Sequence, residues 1–330
     1  MIEWIDILLS DIGSQFLNPK KRLFIGYLFS AFCIASLWLV IFQRKSLVAS
    51  VKTVLSPRVW FSRSSRMDAL CFLINRGVFM VLRPALVTQL AIATLIYQGL
   101  HYQSMIAVGA FETAPYWLAA SLFTLILFVL DDFSRFIVHM MLHRIPALWE
   151  FHKFHHSAEH LTPLTVTRAH PVEGLLFTLR SAITQGVVIA AFVFLFGGTV
   201  DLITIYGINV FIVVFHGLGS NLRHSHIRIR YPAMVEKWLI SPAQHQLHHS
   251  DLPQHFDKNF GVALSLWDRI FGSFHLSTGD DLRFGIGRET AEYTRSVWSM
   301  YLSPFKKLWV RYGRAKSTRV SHQSRQSRQA

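Results

Sequence analysis

Twenty consecutive residues without a charge, Leu23 to Phe42, stand between Lys20, Lys21 and Arg22 on one side and Arg44 and Lys45 on the other. At about 1.5 Å per helical residue the run measures about 30 Å, the thickness of a bilayer's hydrocarbon. Every backbone polar group in lipid must be satisfied within the chain, so such a run crosses as helix. The rest of the chain has the same character. Charged residues make up 16%, where a soluble globular domain carries about 25%, and apolar residues reach 52%.

Further apolar stretches run from about Pro84 to Leu100, Trp117 to Leu130, Ala182 to Phe196 and Leu202 to Phe215. The segment before the first of these, from Ala69, is interrupted by Arg76 and Arg83 and reads as interfacial or as part of a re-entrant hairpin. The connections His101–Tyr116 and Gly197–Asp201 hold no Lys or Arg, whereas 44–66, 144–180, 222–237 and the C-terminal tail are rich in them. The positive-inside rule then places the basic segments in the cytoplasm, with five spans and the N-terminus outside. The expected fold is an all-α integral membrane protein.

Net charge is +14. No zinc-finger or RNA-binding signature accompanies it, so nucleic acid is not the expected partner. Basic loops against an anionic leaflet explain the charge instead. Cys33 and Cys71 both lie in apolar runs and imply neither a disulfide framework nor a thiolate metal site. The start Met1-Ile2-Glu3-Trp4 lacks a basic region, so no cleavable signal peptide is expected. Ser317–Ala330, rich in Ser, Gln and Arg, reads as a disordered tail.

The histidines carry the chemistry. Seven of the 17 fall between 139 and 170 and seven more between 216 and 255. Three clusters stand out: His139-x-x-x-His143, His152-x-x-His155-His156 and His245-x-x-His248-His249. Residues three and four apart share a helix face, so His139 and His143 can address one ion. In each longer box the first histidine shares a face with both later ones. Eight imidazoles are about what two ions need, and unpaired they are costly to desolvate. Imidazole suits iron, zinc, copper and nickel alike, so ligand type alone leaves the metal open. Glu-x-x-His, used by carboxylate di-iron bundles, is absent. Asp132, about two turns before His139, is placed to orient a ligand imidazole, and Asp131 can pair with Arg135. Arg168 is expected to pair with Glu173 or to touch a lipid headgroup. Trp267, Asp268 and Phe271 read as core.

The order of these boxes, with their surroundings, resembles the fatty acid hydroxylase/sterol desaturase superfamily. Leu148-Trp-Glu-Phe-His-Lys-Phe-His-His-Ser157 with Arg168-Ala-His-Pro171 looks like that family's second box. Ser241-Pro-Ala-Gln-His-Gln-Leu-His-His-Ser250 looks like its third, and Asn259-Phe-Gly261 with Trp267-Asp-Arg-Ile-Phe-Gly272 like its closing signature. The resemblance covers about 115–275. It implies a catalytic domain over 111–276, between an N-terminal membrane region, 1–110, and a C-terminal cytoplasmic segment, 277–330.

The resemblance also implies two iron ions, with O2 as co-substrate, in a cytoplasmic histidine cap. The ligands would be His139, His143, His152, His155, His156, His245, His248 and His249, with a ninth between the last two boxes. His224 occupies the matching place, with His216 and His226 near. Where some members carry a further ligand this chain has Arg228, and His170 is expected just behind the ligands. The implied activity is hydroxylation or desaturation of a membrane lipid's C–H bond; the compact single-module layout points to a multi-pass protein of a bacterial inner membrane rather than of the endoplasmic reticulum. No dinucleotide-binding fingerprint is present, and His170-Pro171 lacks the glycines of a fused cytochrome b5, so a separate reductase, ferredoxin or cytochrome must donate electrons. The rival readings are a histidine-rich metal transporter, whose ligands would sit within spans near the midplane, and a catalytically silent relative.

Overall fold

The structure, a computed structural model, describes residues 2–82, 86, 88–103, 105–197, 204–205 and 208–313. The chain begins with α1 (Ile2–Leu17) and α2 (Ile25–Gln43), the helix of the first apolar run. Arg44 closes α2 in the left-handed region, φ 55°, and returns its N–H to the Leu39 carbonyl. Ser46 caps α3 (Leu47–Val54) by accepting from the Ala49 N–H. Then follow α4 (Pro57–Trp60), α5 (Arg63–Leu82) and α6 (Gln89–His101), the last capped by Thr88.

α7 (Tyr116–Arg144), α8 (Pro146–His156) and α9 (Pro171–Phe196) come next. A two-residue antiparallel pair, β1 (Thr204–Ile205) and β2 (Ile208–Asn209), leads into α10 (Val210–Gly217). The remaining helices are short: α11 (Ala233–Glu236), α12 (Pro242–His248), α13 (Leu266–Phe271), α14 (Thr290–Tyr293) and α15 (Val297–Leu308).

Among the described residues two helices, α2 and α9, are long and apolar enough to cross a bilayer. The stretch expected to span from about Pro84 is resolved into α6, whose 13 residues reach only about 20 Å; Pro84 itself lies outside the described residues. The expected final arm, Leu202–Phe215, has among its described residues one helical part, the 8-residue α10, about 12 Å long. Its described beginning is the β pair. Most of the turn before it, and Ser317–Ala330, lie outside the described residues. The segment expected to be interfacial lies in one continuous helix, α5, whose Asp68 and Asn75 are buried with hydrogen-bond partners.

Three apolar clusters bring these helices together. Ala31, Ala35 and Leu39 of α2 pack on Leu222, Ile227 and Ile229. Cys71 of α5, Phe154 of α8 and Met300 of α15 form a second cluster, and Phe123 of α7 with Val188 and Phe192 of α9 a third. α6 lies against α9 so closely that a Cβ on Gly186 would meet Ile92 Cγ2 at 2.7 Å. α7 is apolar in its first half, and its last two turns carry His139 and His143 away from that half. The short helices α8 and α12 complete a polar layer at this end.

Candidate metal centre

α7 places His139 and His143 one turn apart on one face, their ring centroids 5.2 Å apart. Pro146 starts α8 immediately afterwards, so the chain reverses and His152, His155 and His156 return toward that face. α12 is fixed at its start by a capping box in which Ser241 and Gln244 bond each other's backbone N–H groups. Its end presents His245, His248 and His249 from the opposite side.

The structure brings all nine predicted histidines into two groups. His139, His143, His152, His156 and His248 form one, and His155, His224, His245 and His249 the other; within each group one nitrogen per ring lies within 4.8 Å of all the others. Each HxxHH box is divided between the two groups, which adjacent histidines permit because they point about 100° apart around a helix. His216 and His226 stand elsewhere: His216 Nδ1 is bonded to Ser220 Oγ at 2.7 Å, and His226 Nε2 to the Thr53 carbonyl at 2.9 Å.

The outer nitrogens explain how the rings are held. Nδ1 of His139 donates to the Phe260 carbonyl at 2.7 Å, that of His248 to Lys258 at 2.8 Å and that of His155 to Arg168 at 3.1 Å. A carbonyl can only accept, so these Nδ1 atoms carry the proton and Nε2 keeps its lone pair. Burial lowers the His152 pKa to about 3 and that of His155 to about 4. Burial, reinforced by neighbouring imidazoles and, for His224 and His245, by Arg223, holds His224, His245 and His249 well below the ordinary range. Burial thus favours the neutral form of these rings.

The inner nitrogens fit a cation. Nε2 of His143, His152, His156 and His248 is buried without a hydrogen-bond partner. In the other group His224 Nε2 lies 3.1 Å from that of His155, 3.0 Å from that of His245 and 3.2 Å from that of His249. Nitrogens about 2.1 Å from one ion stand about 3.0 Å apart in octahedral and about 3.4 Å apart in tetrahedral coordination. The observed separations fall in that interval. A cation between these nitrogens would satisfy them together, whereas without one a proton shared between Nε2 atoms must do so.

Several residues take partners other than those expected. Asp132 orients no histidine directly. It accepts from the N–H groups of Ala263 and Leu264 and from Trp267 Nε1, at 2.8, 3.1 and 2.9 Å. Asp268 likewise accepts from the N–H groups of Phe260 and Gly261. Together they fix the loop whose Phe260 carbonyl holds His139. Asp131 pairs with Arg135 and also with Arg180, both at 2.8 Å. Arg168 does not meet Glu173; its ion pair is with Asp68. Glu173 instead lies 3.1 Å from His152 Nδ1, not aligned for a hydrogen bond. His170 does not touch the ligand set; it caps α9 through the Val172 N–H and bonds the Tyr301 carbonyl. Trp267 and Phe271 pack on Phe133 and Phe136 of α7. Sequence spacing carries no signal for the carbonyl partners, since they lie 10 to 121 positions away.

A cavity of about 350 Å³ opens beside the five-histidine group. His143, His156 and His248 form its floor, Trp149, Phe256 and Ile286 supply apolar wall, and Lys153, Asp257 and Glu289 are among its polar residues.

Comparison with known proteins agrees with this arrangement. The fatty acid hydroxylase family model matches residues 124–273. The chain is 24% identical to an alkylglycerol monooxygenase of Danio rerio, over 55% of this chain and 36% of that protein. It is 26% identical to an ornithine lipid hydroxylase of Rhizobium tropici, over 44% and 40%. It is also 28% identical to human lathosterol oxidase, over 51% and 49%. The chain thus spans less than half the length of each of these relatives. No solved structure matches it. Through residues 124–273 and its three histidine boxes, the chain is similar to proteins of the fatty acid hydroxylase family.

Proposed function

We propose that this protein is a membrane-bound, iron-dependent oxygenase that hydroxylates or desaturates a C–H bond of a lipid. The observation that carries the reading is the pair of buried histidine groups, each with inner nitrogens converging on one point, beside a cavity floored by three of them. The nine named histidines would hold two iron ions. When bound, such a pair supplies reductive activation of O2 for attack on an unactivated C–H bond.

The chain's own residues do the rest. The Phe260, Lys258 and Arg168 carbonyls keep three Nδ1 protons in place, so the lone pairs face inward. Trp149, Phe256 and Ile286 line the cavity with apolar side chains. The named relatives act on an alkylglycerol, an ornithine lipid and lathosterol, which supports an amphiphilic substrate entering sideways from the bilayer. Electrons come from a separate reductase, ferredoxin or cytochrome. The histidine layer faces the cytoplasm of a bacterial inner membrane, where the basic segments adjoin the anionic leaflet.

The position of the ligands supports a fixed cofactor over a transport path. They lie on the end of α7, at the short helices α8 and α12 and, for His224, in the loop after Arg223, not midway along an apolar span. The test is the metal content of detergent-purified protein expressed with iron. About two irons per chain are expected, with loss on His155→Ala or His248→Ala and no turnover of lipid by either variant. Well-folded protein that binds no metal would end the oxygenase reading.

A further inference from the structure

Arg168 is 1% exposed, and its side chain forks across the end of α8. Nε donates to the Phe154 carbonyl at 3.1 Å and to Ser157 Oγ at 3.2 Å; Nη2 donates to the Ser157 carbonyl at 3.1 Å and to its Oγ at 2.8 Å. Nη1 reaches the Ser64 carbonyl at 3.3 Å and Asp68 Oδ1 at 2.9 Å. Asp68, on α5, is fully buried, and its second oxygen accepts from Thr165 Oγ1 at 2.6 Å. The main chain of Arg168 meanwhile receives the Nδ1 proton of His155.

One residue therefore grips the last carbonyls of α8 with its side chain and fixes a histidine's tautomer with its backbone. Asp68 supplies the counter-charge that holds the fork in place. His139 and His248, of the five-histidine group, are held instead by Phe260 and Lys258. We propose that Asp68, which lies outside the segment matched by the family model, is a positioning residue for the four-histidine site, acting through Arg168 and His155. The inference rests on reading the two histidine groups as two metal sites.

A merely structural ion pair needs only charge opposite charge. Positioning needs the planar fork, because an ammonium cannot reach Asp68, Ser64, Phe154 and Ser157 together. Three variants of the full-length protein separate these roles. Ser157→Ala deletes two contacts of the fork without touching charge. Arg168→Lys keeps the buried charge and deletes the fork. Asp68→Asn keeps the shape and removes the counter-charge. Each is loaded with Fe(II) under anaerobic conditions, its ions are counted, and the affinity of each is read by chelator competition.

The wild type is expected to hold two ions. In Arg168→Lys and Asp68→Asn one ion keeps its wild-type affinity and the other weakens about 10–100-fold, the usual effect of removing an outer hydrogen-bond partner of a ligand. Ser157→Ala weakens the same ion less, and as the mildest change it decides the matter if the others do not fold. Two undisturbed ions in every folded variant, or equal weakening of both, overturns the proposal. A wild type that does not bind two ions overturns instead the reading beneath it, and the unmutated protein alone reveals that.

Discussion

At the scale of single residues, the chemistry lies in which nitrogen of each ring is free. His224 was one of three histidines in the right part of the chain, and only its Nε2 sits among those of His155, His245 and His249. Replacing His224 by Ala should therefore lower bound iron, while His216→Ala and His226→Ala leave it unchanged; elemental analysis of the three purified variants reads this directly. Glu173, by contrast, takes a partner that sequence spacing did not indicate. Its carboxylate stands beside His152 Nδ1, where it can favour the tautomer that leaves Nε2 free. Glu173→Gln is expected to weaken metal binding about 10–100-fold, measured by chelator competition, with little change in the amount of folded protein. The pairing of Arg168 with Glu173 looked natural at five positions' separation, but Pro171 begins a new helix between them. Arg168 is thereby left facing α5.

At the scale of elements, α7 does two jobs in one continuous helix. Its apolar half packs on α9, and its last turns carry His139 and His143. Asp132, between these parts, receives three donors from the 263–267 segment and so ties α7 to the loop behind the ligands. In Asp132→Ala those donors lose their acceptor in a buried setting, where each unsatisfied group costs about 1–3 kcal/mol. A total loss of about 3 kcal/mol is expected once the exposed share of Trp267 is allowed for, read as a lower denaturation midpoint in detergent. The contact between α6 and α9 is set by a different constraint. Gly186 lets the two backbones approach, since an added Cβ would lie 3.1 Å from the Ala93 nitrogen. Gly186→Val should push the helices apart and cost about 1–3 kcal/mol. An unchanged melting temperature in that variant would show that the helices yield without strain.

At the scale of the whole molecule, the two histidine groups join distant parts of the chain: α7 and α8, the loop around His224, and α12. Metal binding to the folded form alone would then stabilise the entire assembly by mass action, by about 2.7 kcal/mol at a hundredfold excess over the dissociation constant. Thermal melting of the metal-free protein should accordingly rise on adding Fe(II) or Zn(II), and the rise should be lost when His155 and His248 are both replaced by Ala.

The sequence by itself determined the chemistry-bearing residues and the character of the fold. Three- and four-residue spacing on helices is a local property, so the boxes announced which histidines share a face. Long apolar runs likewise announced α2 and the apolar part of α9. The length of other elements was not legible: Pro84–Leu100 and Leu202–Phe215 are apolar enough to suggest spans, yet the helices described there, α6 and α10, have 13 and 8 residues. Apolar composition reports the preference for a dry environment, and core or lipid can each provide it. Only the tertiary structure decided how the boxes divide between two groups and which carbonyls hold the rings. It also decided that Asp68 and Arg168 meet across about a hundred positions. Each of these depends on where separate helices cross, which packing settles and no spacing rule encodes.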